Sequence, residues 1–368
     1  SGGDLARLAG LMTQVATGPD PCPIKTSRLR RAAAKVLLLT VTLAVGLSLM
    51  ELVVRWRFPY FCPAAQVPFR LVTNGLAVGP AGQTVRMATP KGDYNSVLRF
   101  NADGFRDEKR VTEATEGDWF ALGDSYTMGW GVEENERFSN QLEQEFKAHE
   151  LPTRVFNIAI PDNFIGYGRL LRYAEGCGAR VRRMVVGVCM ENDLRDYRDG
   201  LGAWDLMGQP AATSKEGLRR WIKEHSALYI AASFELQRFG PTRRLLHKLG
   251  IARSIDELTG HNVWNETVLQ ASRDELIKLG TGREMLVLLI PSRNLWHGAH
   301  IATEQRVHET FARMLREAGL SVLDVRPLME AAGDPLSCYF KTDPHWNARG
   351  HALAGRALFK AIQEGSFP

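Results

Sequence analysis

From Trp119 onward the chain alternates between short apolar runs and longer amphipathic segments. Five runs predict β-strands because each is short and rich in Val, Ile or Leu. These strands are predicted at residues 118–123, 154–160, 183–190, 284–290 and 321–325, with helices near 135–149, 164–177, 264–279, 303–318 and 347–363. Apolar strands separated by helices indicate a parallel sheet covered on both faces. The pattern therefore predicts an α/β fold with three layers, α/β/α.

Candidate catalytic residues follow two of these apolar stretches. Ser125 ends a Gly-Asp-Ser turn directly after the first predicted strand, and Asp343-Pro-His345 opens the last helix. A serine nucleophile needs a base to take its proton, and the imidazole needs a carboxylate to orient it. Ligand sites of open α/β sheets lie at the carboxyl ends of the strands, where these residues could converge. Together they indicate a Ser-His-Asp acyl-transfer site, although each motif alone also fits an ordinary turn or helix start.

Four blocks of the chain resemble the SGNH (GDSL-type) esterases and acyltransferases. The blocks are Gly123-Asp124-Ser125, the run from Asn157 to Gly168, Glu191-Asn192-Asp193 and Asp343-Pro344-His345. A further run, from Asn101 to Arg106, is similar to the lead-in of the membrane-anchored branch linked to polysaccharide O-acetylation. The resemblance spans roughly residues 98 to 363. It implies a flavodoxin-like three-layer fold with a parallel sheet.

The same resemblance implies roles for single residues. Ser125 would be the nucleophile, His345 the general base and then acid, and Asp343 the group that orients the imidazole. The oxyanion would be bound by the Ser125 N–H, by a backbone N–H near Gly166 or Gly168, and by the side chain of Asn192. In a purely structural interpretation, Asn192 and Asp193 only cap the helix that follows.

Two positions depart from the usual family pattern. Met190-Glu191 stands where the family commonly has a glycine ahead of the asparagine of the third block. The acid, Asp343, precedes His345 by two residues, where most of the family has three. The shorter spacing resembles that of the alginate-acetylation relatives, so it indicates a subfamily more than it argues against the triad.

An apolar segment near the N-terminus predicts a membrane anchor. Val36 to Met50 contains no charged residue, but at about 1.5 Å per residue it is too short for a hydrocarbon core of about 30 Å. Residues 32–54 give roughly 34 Å, which is enough. A cleaved signal peptide is the rival interpretation, and the absence of a small-x-small cleavage site after the run argues against it. We expect an uncleaved transmembrane helix at 32–54.

Charge on either side of this segment predicts its orientation. Five basic residues precede it or lie at its start (Lys25, Arg28, Arg30, Arg31 and Lys35), whereas Arg55 and Arg57 follow it. The positive-inside rule then places the N-terminus in the cytoplasm and the C-terminal domain outside a bacterial-type membrane, in the periplasm. We expect residues 1–27 to be a disordered cytoplasmic tail and 59–97 to be an irregular stalk or a small β-rich apron.

The main domain is predicted at residues 98–368, with a helical insertion at 196–262. The insertion is either a packed helical hairpin, a substrate-recognition lid or a basic surface resting on lipid headgroups. A net charge of +5 without a basic stripe argues against nucleic acid as a partner. The five cysteines and nine histidines show no metal-ligand spacing, so we expect no metal and no other cofactor. The sequence leaves open a disulfide among the extracytoplasmic cysteines.

The predicted function is a membrane-anchored, extracytoplasmic serine acyl-ester enzyme that acts on a cell-surface glycan. It would be an O-acetyltransferase or an O-acetylesterase, because a sugar hydroxyl or a water can resolve the same acyl-enzyme. The resemblance implies a multi-spanning membrane acyltransferase or another membrane complex as a partner. One alternative is a non-catalytic architectural or binding subunit with the same fold. Another is a lipase or thioesterase, which would need an apolar groove in the insertion.

Overall fold

The computed structural model describes residues 24–62, 69–72, 76–89, 91–199, 221–223, 225–251 and 260–365. Its contacts divide the chain into two units, Ser1–Val53 and Val54–Pro368. The first unit contains most of helix α1 (Ile24–Arg57). The stretch Arg30–Arg57 has a mean hydropathy of 2.3, so by length and composition it could cross a membrane, a test that a signal sequence also passes.

Helix α1 begins earlier than the sequence predicted. It starts at Ile24, so the predicted disordered tail at 1–27 is wrong for residues 24–27, and residues 1–23 lie outside the described part. Pro23 is the last proline before the apolar segment, and residues 24–27 contain neither Pro nor Gly that would end a helix. The helical pattern therefore extends back to that proline.

Two antiparallel ribbons follow the helix. Strands β1 (Arg70–Leu71) and β2 (Ala77–Val78) form the first ribbon, and β3 (Thr84–Ala88) and β4 (Asn95–Arg99) form the second. The ribbons contribute buried side chains to the main hydrophobic core: Leu76, Val78, Met87 and Leu98. The described part of 59–97 is therefore β-rich and packs into the domain rather than forming a free stalk.

A five-stranded parallel sheet forms the centre of the domain. Its strands are β5 (Trp119–Gly123), β6 (Val155–Asn157), β7 (Arg183–Cys189), β8 (Glu284–Ile290) and β9 (Ser321–Asp324). The strand order is β6-β5-β7-β8-β9, and every neighbouring pair is parallel. This order is the doubly wound, flavodoxin-like one, in which the crevice lies beside the first strand at the carboxyl edge. The predicted fold class is confirmed.

Helices cover both faces of this sheet. The helices described after the ribbons are α2 (Ser125–Met128), α3 (Phe138–Ala148), α4 (Phe164–Gly176), α5 (Asp193–Asp199), α6 (Ala227–Arg238), α7 (Gly240–Lys248), α8 (Glu266–Gly280), α9 (Ile301–Glu317), α10 (Arg326–Ala331) and α11 (Ala348–Gln363). Of these, α6 and α7 belong to the predicted insertion and pack away from the sheet. Phe120 and Leu122 of β5 join one core, together with residues of α4, α8 and α9. Trp119 and Ala121 join the other core, with residues of α3 and α11. Because neighbouring strand residues point to opposite faces, one strand serves two cores and the fold has three layers.

The predicted insertion at 196–262 is helical where it is described. Helix α5 runs through its start, α6 and α7 form its middle, and residues 200–220, 224 and 252–259 lie outside the described part. Its end is fixed by Asn262, a buried residue whose amide donates to the carbonyl of Met190 at 2.6 Å and to Glu304 Oε2 at 2.8 Å. The insertion thus returns to the sheet beside the third sequence block.

Candidate active site

The turn after strand β5 fixes the position of Ser125. Asp124 caps helix α2, since its Oδ1 accepts a hydrogen bond from the Tyr126 N–H at 2.9 Å. Gly123 is needed because a Cβ at this position would lie 2.8 Å from the carbonyl oxygen of Gly187 on β7. Ser125 is therefore the first residue of α2, at the carboxyl edge of the sheet.

The structure brings together the three residues of the predicted triad. Ser125 Oγ lies 2.8 Å from Nε2 of His345, which is 220 positions along the chain. His345 Nδ1 lies 2.6 Å from Oδ1 of Asp343, and the same oxygen accepts from the His345 backbone N–H at 3.2 Å. Burial raises the pKa of Asp343, but the charge and hydrogen bond of His345 outweigh it, so the pKa is below its ordinary value. This arrangement can transfer a proton from the serine to an oriented imidazole.

The imidazole ring of His345 is held by two aromatic side chains. Its centroid lies 4.7 Å from that of Tyr126 and 5.9 Å from that of Trp130, with which it is stacked. The Tyr126 hydroxyl also donates to the carbonyl of Pro344 at 2.6 Å. These contacts restrict the ring to the orientation that faces Ser125.

A second set of contacts holds the other oxygen of Asp343. The Tyr94 hydroxyl donates to Oδ2 at 3.4 Å, and Lys91 Nζ lies 4.0 Å from the same atom. Trp130 Nε1 in turn donates to the Tyr94 hydroxyl at 2.6 Å. Asp93 accepts the backbone N–H of Thr342 at 2.8 Å. The turn between β3 and β4, which sequence reasoning assigned to a stalk or apron, thus positions the acid of the triad.

The expected backbone donors to the oxyanion are only partly compatible with the structure. Gly168 is the fifth residue of α4, so its N–H donates to a carbonyl within the helix, and this candidate is wrong. Gly166 lies in the first turn, where N–H groups have no intrahelical acceptor, and it stays a prediction. A Cβ at Gly166 would overlap the carboxyl group of Asp162, so the glycine allows a close approach at that point.

The segment after β6 continues the ladder of hydrogen bonds to β5. Ile158 N–H donates to the Ala121 carbonyl at 2.9 Å, and Ile160 N–H donates to the Gly123 carbonyl at 3.3 Å. This segment therefore runs beside the strand that leads to Ser125 and ends where helix α4 begins.

Asn192 lies in the turn that follows strand β7. Its Nδ2 donates to Oδ2 of Asp196 at 3.3 Å, which leaves the second amide hydrogen for another acceptor. The neighbouring Asp193 accepts from the Cys189 N–H at 2.9 Å and from the Tyr167 hydroxyl at 2.7 Å. These bonds fix the turn at the carboxyl edge of the sheet, next to the strand that carries Ser125.

Two buried carboxyl groups adjoin the triad. Glu191 is 6% exposed, and its Oε2 has no hydrogen-bond partner among the described residues. Burial raises its pKa to about 7, although the charges of His345 and Arg293 act in the opposite direction. Burial also raises the pKa of Asp124 to about 6. Glu191 is therefore an ionisable group whose charge interacts with the imidazole of His345.

The lead-in motif that ends at Arg106 has a structural role. Arg106 is fully buried, and its guanidinium donates to the carbonyls of Met128 at 3.2 Å, Val132 at 2.6 Å and Val97 at 3.1 Å. These carbonyls belong to the last residue of α2, to the loop after it and to strand β4. One buried cation therefore connects the nucleophile loop to the ribbon that carries Tyr94.

A cavity of about 730 Å³ adjoins the catalytic loop. Six charged side chains line it, four basic and two acidic: Arg238, Arg243, Arg293, Lys341, Asp93 and Asp334. Arg293 is only 6% exposed, and its Nη1 donates to the carbonyl of Phe340 at 3.4 Å. Its Nε has no partner among the described residues. The cavity is therefore polar and carries an excess of positive charge.

Within the described ranges, no group of three or more His, Cys, Asp or Glu side chains is placed to hold a metal ion. The described cysteines are Cys62, Cys177, Cys189 and Cys338, and all four are free. Cys22, the fifth, lies outside the described part.

Comparison with known proteins bears on the C-terminal part of this site. Residues 263–368, which contain Asp343 and His345, match the family model described as SGNH hydrolase-like domain, acetyltransferase AlgX. The predicted resemblance is confirmed over this segment. The class expected from the sequence, an SGNH-like esterase or acyltransferase, agrees with that match. No match is found among curated proteins.

Several solved structures are similar in fold. A lipolytic protein of the G-D-S-L family from Veillonella parvula has 12% identity and a TM-score of 0.39, over 67% of this chain and 98% of that one. A lipase/acylhydrolase from Enterococcus faecalis has 11% identity and a TM-score of 0.41, over 67% and 95%. An acetyl xylan esterase from Geobacillus stearothermophilus has 11% identity and a TM-score of 0.40, over 67% and 94%. At these identities and TM-scores, the three structures carry no functional inference.

Proposed function

We propose that this chain is a membrane-anchored, extracytoplasmic serine acyl-ester enzyme that transfers or removes O-acetyl groups on a cell-surface glycan. The observation that carries the proposal is the continuous hydrogen-bonded series from Ser125 Oγ through His345 to Asp343, with distances of 2.8 and 2.6 Å. The match of residues 263–368 to an acetyltransferase domain supports the acetyl group as the one transferred. The apolar stretch Arg30–Arg57 supports the anchor.

The first half-reaction forms an acyl-enzyme. His345 Nε2 takes the proton of the Ser125 hydroxyl while Oγ attacks the ester carbonyl, and Asp343 stabilises the imidazolium that results. The tetrahedral oxyanion would accept hydrogen bonds from the Ser125 N–H, from the backbone near Gly166, and from the Asn192 amide. One such donor is worth about 3–4 kcal/mol in the transition state. The imidazolium then protonates the leaving alkoxide, and the C–O bond of the ester breaks.

The second half-reaction returns the enzyme to its starting state. An acceptor hydroxyl enters beside His345, loses its proton to Nε2 and attacks the acyl group on Ser125. The bond between the acyl carbon and Ser125 Oγ then breaks, and the imidazolium returns its proton to Oγ. If the acceptor is a sugar, the product is an O-acetyl sugar, and if it is water, the product is acetate. The geometry of the triad is the same in both cases, so the acceptor that reaches the acyl group decides the outcome.

The cavity beside the catalytic loop favours a polar acceptor. Its lining contains Arg293, Arg243 and Lys341, together with the polar side chains of Asn347 and Ser337. A lipase or thioesterase would need an apolar acyl groove, whereas charged and polar side chains make up much of this lining. The excess of positive charge favours an acceptor that carries an anionic group. We therefore prefer the glycan to the lipid substrate.

The non-catalytic alternative has one feature in its favour, the buried Glu191 beside the triad. A carboxylate there would repel an oxyanion when ionised. Its pKa is raised by burial to about 7, however, so the group is largely neutral on the acidic side of that value. A neutral Glu191 is compatible with turnover, and the intact triad geometry supports the enzyme.

Turnover with an activated acetyl ester tests the proposal. The full chain is incubated in detergent with p-nitrophenyl acetate, with and without polysaccharide acceptors, and both acetate and acetylated glycan are measured. We expect turnover to be lost in Ser125→Ala and retained in Ser337→Ala, which removes a serine hydroxyl near the cavity but outside the triad. Equal turnover in Ser125→Ala and the unsubstituted chain would contradict the assignment of the nucleophile.

Protease access tests the proposed topology separately. If residues 59–368 lie outside the cytoplasm and the anchor is retained, protease added to spheroplasts reaches the domain, and carbonate washing does not release it. Release of a fragment that starts near residue 59 would mean that the segment is a cleaved signal. Protection from protease would place the domain in the cytosol and exclude a cell-surface substrate.

A further inference from the structure

The C-terminal end of α6, helix α7 and the residues that follow expose an unusual amount of apolar surface. We call residues 236–251 the α7 surface. Five large apolar side chains on it are exposed, Leu236 at 47%, Phe239 at 62%, Leu245 at 54%, Leu249 at 61% and Ile251 at 52%. Helix α7 itself has no buried residue. Exposed large apolar side chains concentrated in one short segment of a folded domain are typical of an interaction site.

The charge of the α7 surface is entirely basic. It contains Arg238, Arg243, Arg244 and Lys248, and no Asp or Glu occurs between residues 236 and 251. Leu245 and Leu249 are four residues apart on α7 and therefore share one face of the helix, and Arg244 and Lys248 flank them. Apolar side chains flanked by long basic ones are typical of helices that lie in a membrane interface, where the charged ends reach the headgroups.

The α7 surface is tied to the residues that directly follow the apolar segment. The ring of Phe234 on α6 packs against that of Phe61, with centroids 5.4 Å apart. Val54 and Tyr60 pack against the same cluster, and Arg55 Nη2 donates to the His225 carbonyl at 2.6 Å. In the proposed topology residues 55–61 leave the bilayer. The α6–α7 hairpin is thus attached to the chain where it emerges from the lipid.

From this placement we infer that the α7 surface docks on the headgroup layer of an anionic membrane. The inference rests on the proposed anchor, which supplies the nearby bilayer, and goes beyond it by adding a second contact. Anionic lipid complements the four basic side chains, and the apolar side chains enter the boundary of the acyl chains. Arg238 and Arg243 also line the cavity beside the catalytic loop. Docking would therefore hold the wall of that cavity next to the membrane.

Fluorescence quenching by lipid tests the inference on the full chain. The chain is reconstituted into vesicles of phosphatidylglycerol and phosphatidylcholine that contain a lipid quencher at shallow depth. An environment-sensitive dye is attached to Leu249→Cys, and the unsubstituted chain gives the background from its own cysteines. We expect the dye at position 249 to be quenched and its emission to shift to the blue. The same dye on Lys147→Cys, an exposed position at the end of α3, should show neither effect.

Charge variants separate docking from accidental proximity. Each basic residue near an anionic surface contributes about fivefold to binding, so Arg244→Gln with Lys248→Gln should lower the docking equilibrium on the order of 30-fold. Quenching at position 249 should fall accordingly, and it should also fall in vesicles without phosphatidylglycerol. Hydrolysis of an activated acetyl ester by the double variant should not change, since neither residue touches the triad.

The outcomes distinguish this inference from the proposed function. A chain that resists carbonate extraction while the dye at 249 stays in water would overturn the docking and leave the anchor standing. A dye that is shielded from water but not quenched would mean that protein covers the surface, which also overturns the docking. Release of the chain by carbonate would contradict the anchor instead. Quenching at 249 would then still decide whether the surface binds lipid.

Discussion

Replacement of Glu191 by glutamine should remove a pH-dependent loss of stability. Burial raises the pKa of Glu191 from 4.5 to about 7 in the folded chain. Between these two values the folded state holds a proton that the unfolded state has released, so stability falls as the pH rises. At about 1.4 kcal/mol per pKa unit, the rise corresponds to about 3 kcal/mol of unfolding free energy. The loss should accumulate between pH 4.5 and 7 and be complete above that range.

Glutamine keeps the shape of the side chain and cannot ionise. It adds an amide whose cost at the buried site is the same at every pH, so the comparison uses the difference between two pH values. Unfolding free energies of the unsubstituted chain and Glu191→Gln are measured by urea titration in mild detergent at pH 4.5 and pH 8. We expect the variant to gain about 3 kcal/mol relative to the unsubstituted chain between these conditions.

A matched control separates this effect from other titrations. Glu116 is exposed, so Glu116→Gln should follow the pH dependence of the unsubstituted chain. If Glu191→Gln also followed that dependence, Glu191 would not be a buried neutral carboxyl group. Burial would then not raise the pKa of the Glu191 carboxyl group.

Three further substitutions test parts of the site. Asn192→Ala should lower kcat for an acetyl ester by about 10²–10³-fold with little change in KM, because its amide acts on charge that develops in the transition state. Tyr94→Phe removes a hydrogen bond to the ionised Asp343, so kcat should fall about tenfold and the acid limb of the pH–rate profile should move to higher pH. Gly123→Ala should destabilise the chain by about 1–3 kcal/mol in thermal unfolding, since its Cβ would meet a carbonyl of β7, whereas Gly117→Ala, with open space around it, should not.

The parallel sheet could be predicted from sequence because its strands are nearly continuous apolar runs. The run predicted at 284–290 coincides with strand β8, and that predicted at 183–190 is one residue longer than β7. Both strands are buried on two faces, so local composition alone identifies them. The run predicted at 154–160 is longer than β6 (Val155–Asn157), because after Asn157 the chain keeps ladder bonds to β5 but leaves regular strand geometry.

The surroundings of the triad could not be predicted in the same way. Tyr94 and Lys91 approach Asp343 from about 250 positions earlier in the chain, and no local pattern indicates such a contact. The error at Gly168 has a different cause, since the availability of an N–H depends on where helix α4 begins. Asn163 caps that helix, and a shift of a few residues in its start decides which backbone groups stay free.

Peptide mass spectrometry of the acyl-enzyme tests directly whether Ser125 is the nucleophile. The full chain is mixed with an activated acetyl ester, quenched in acid within the first turnover and digested. We expect an acetyl group on Ser125 in the unsubstituted chain, and a longer-lived adduct in a variant whose second half-reaction is slowed, such as Asn192→Ala. Turnover of the ester with no acetyl group on Ser125, or with the acetyl group on another residue, would contradict the assignment of Ser125 as the nucleophile.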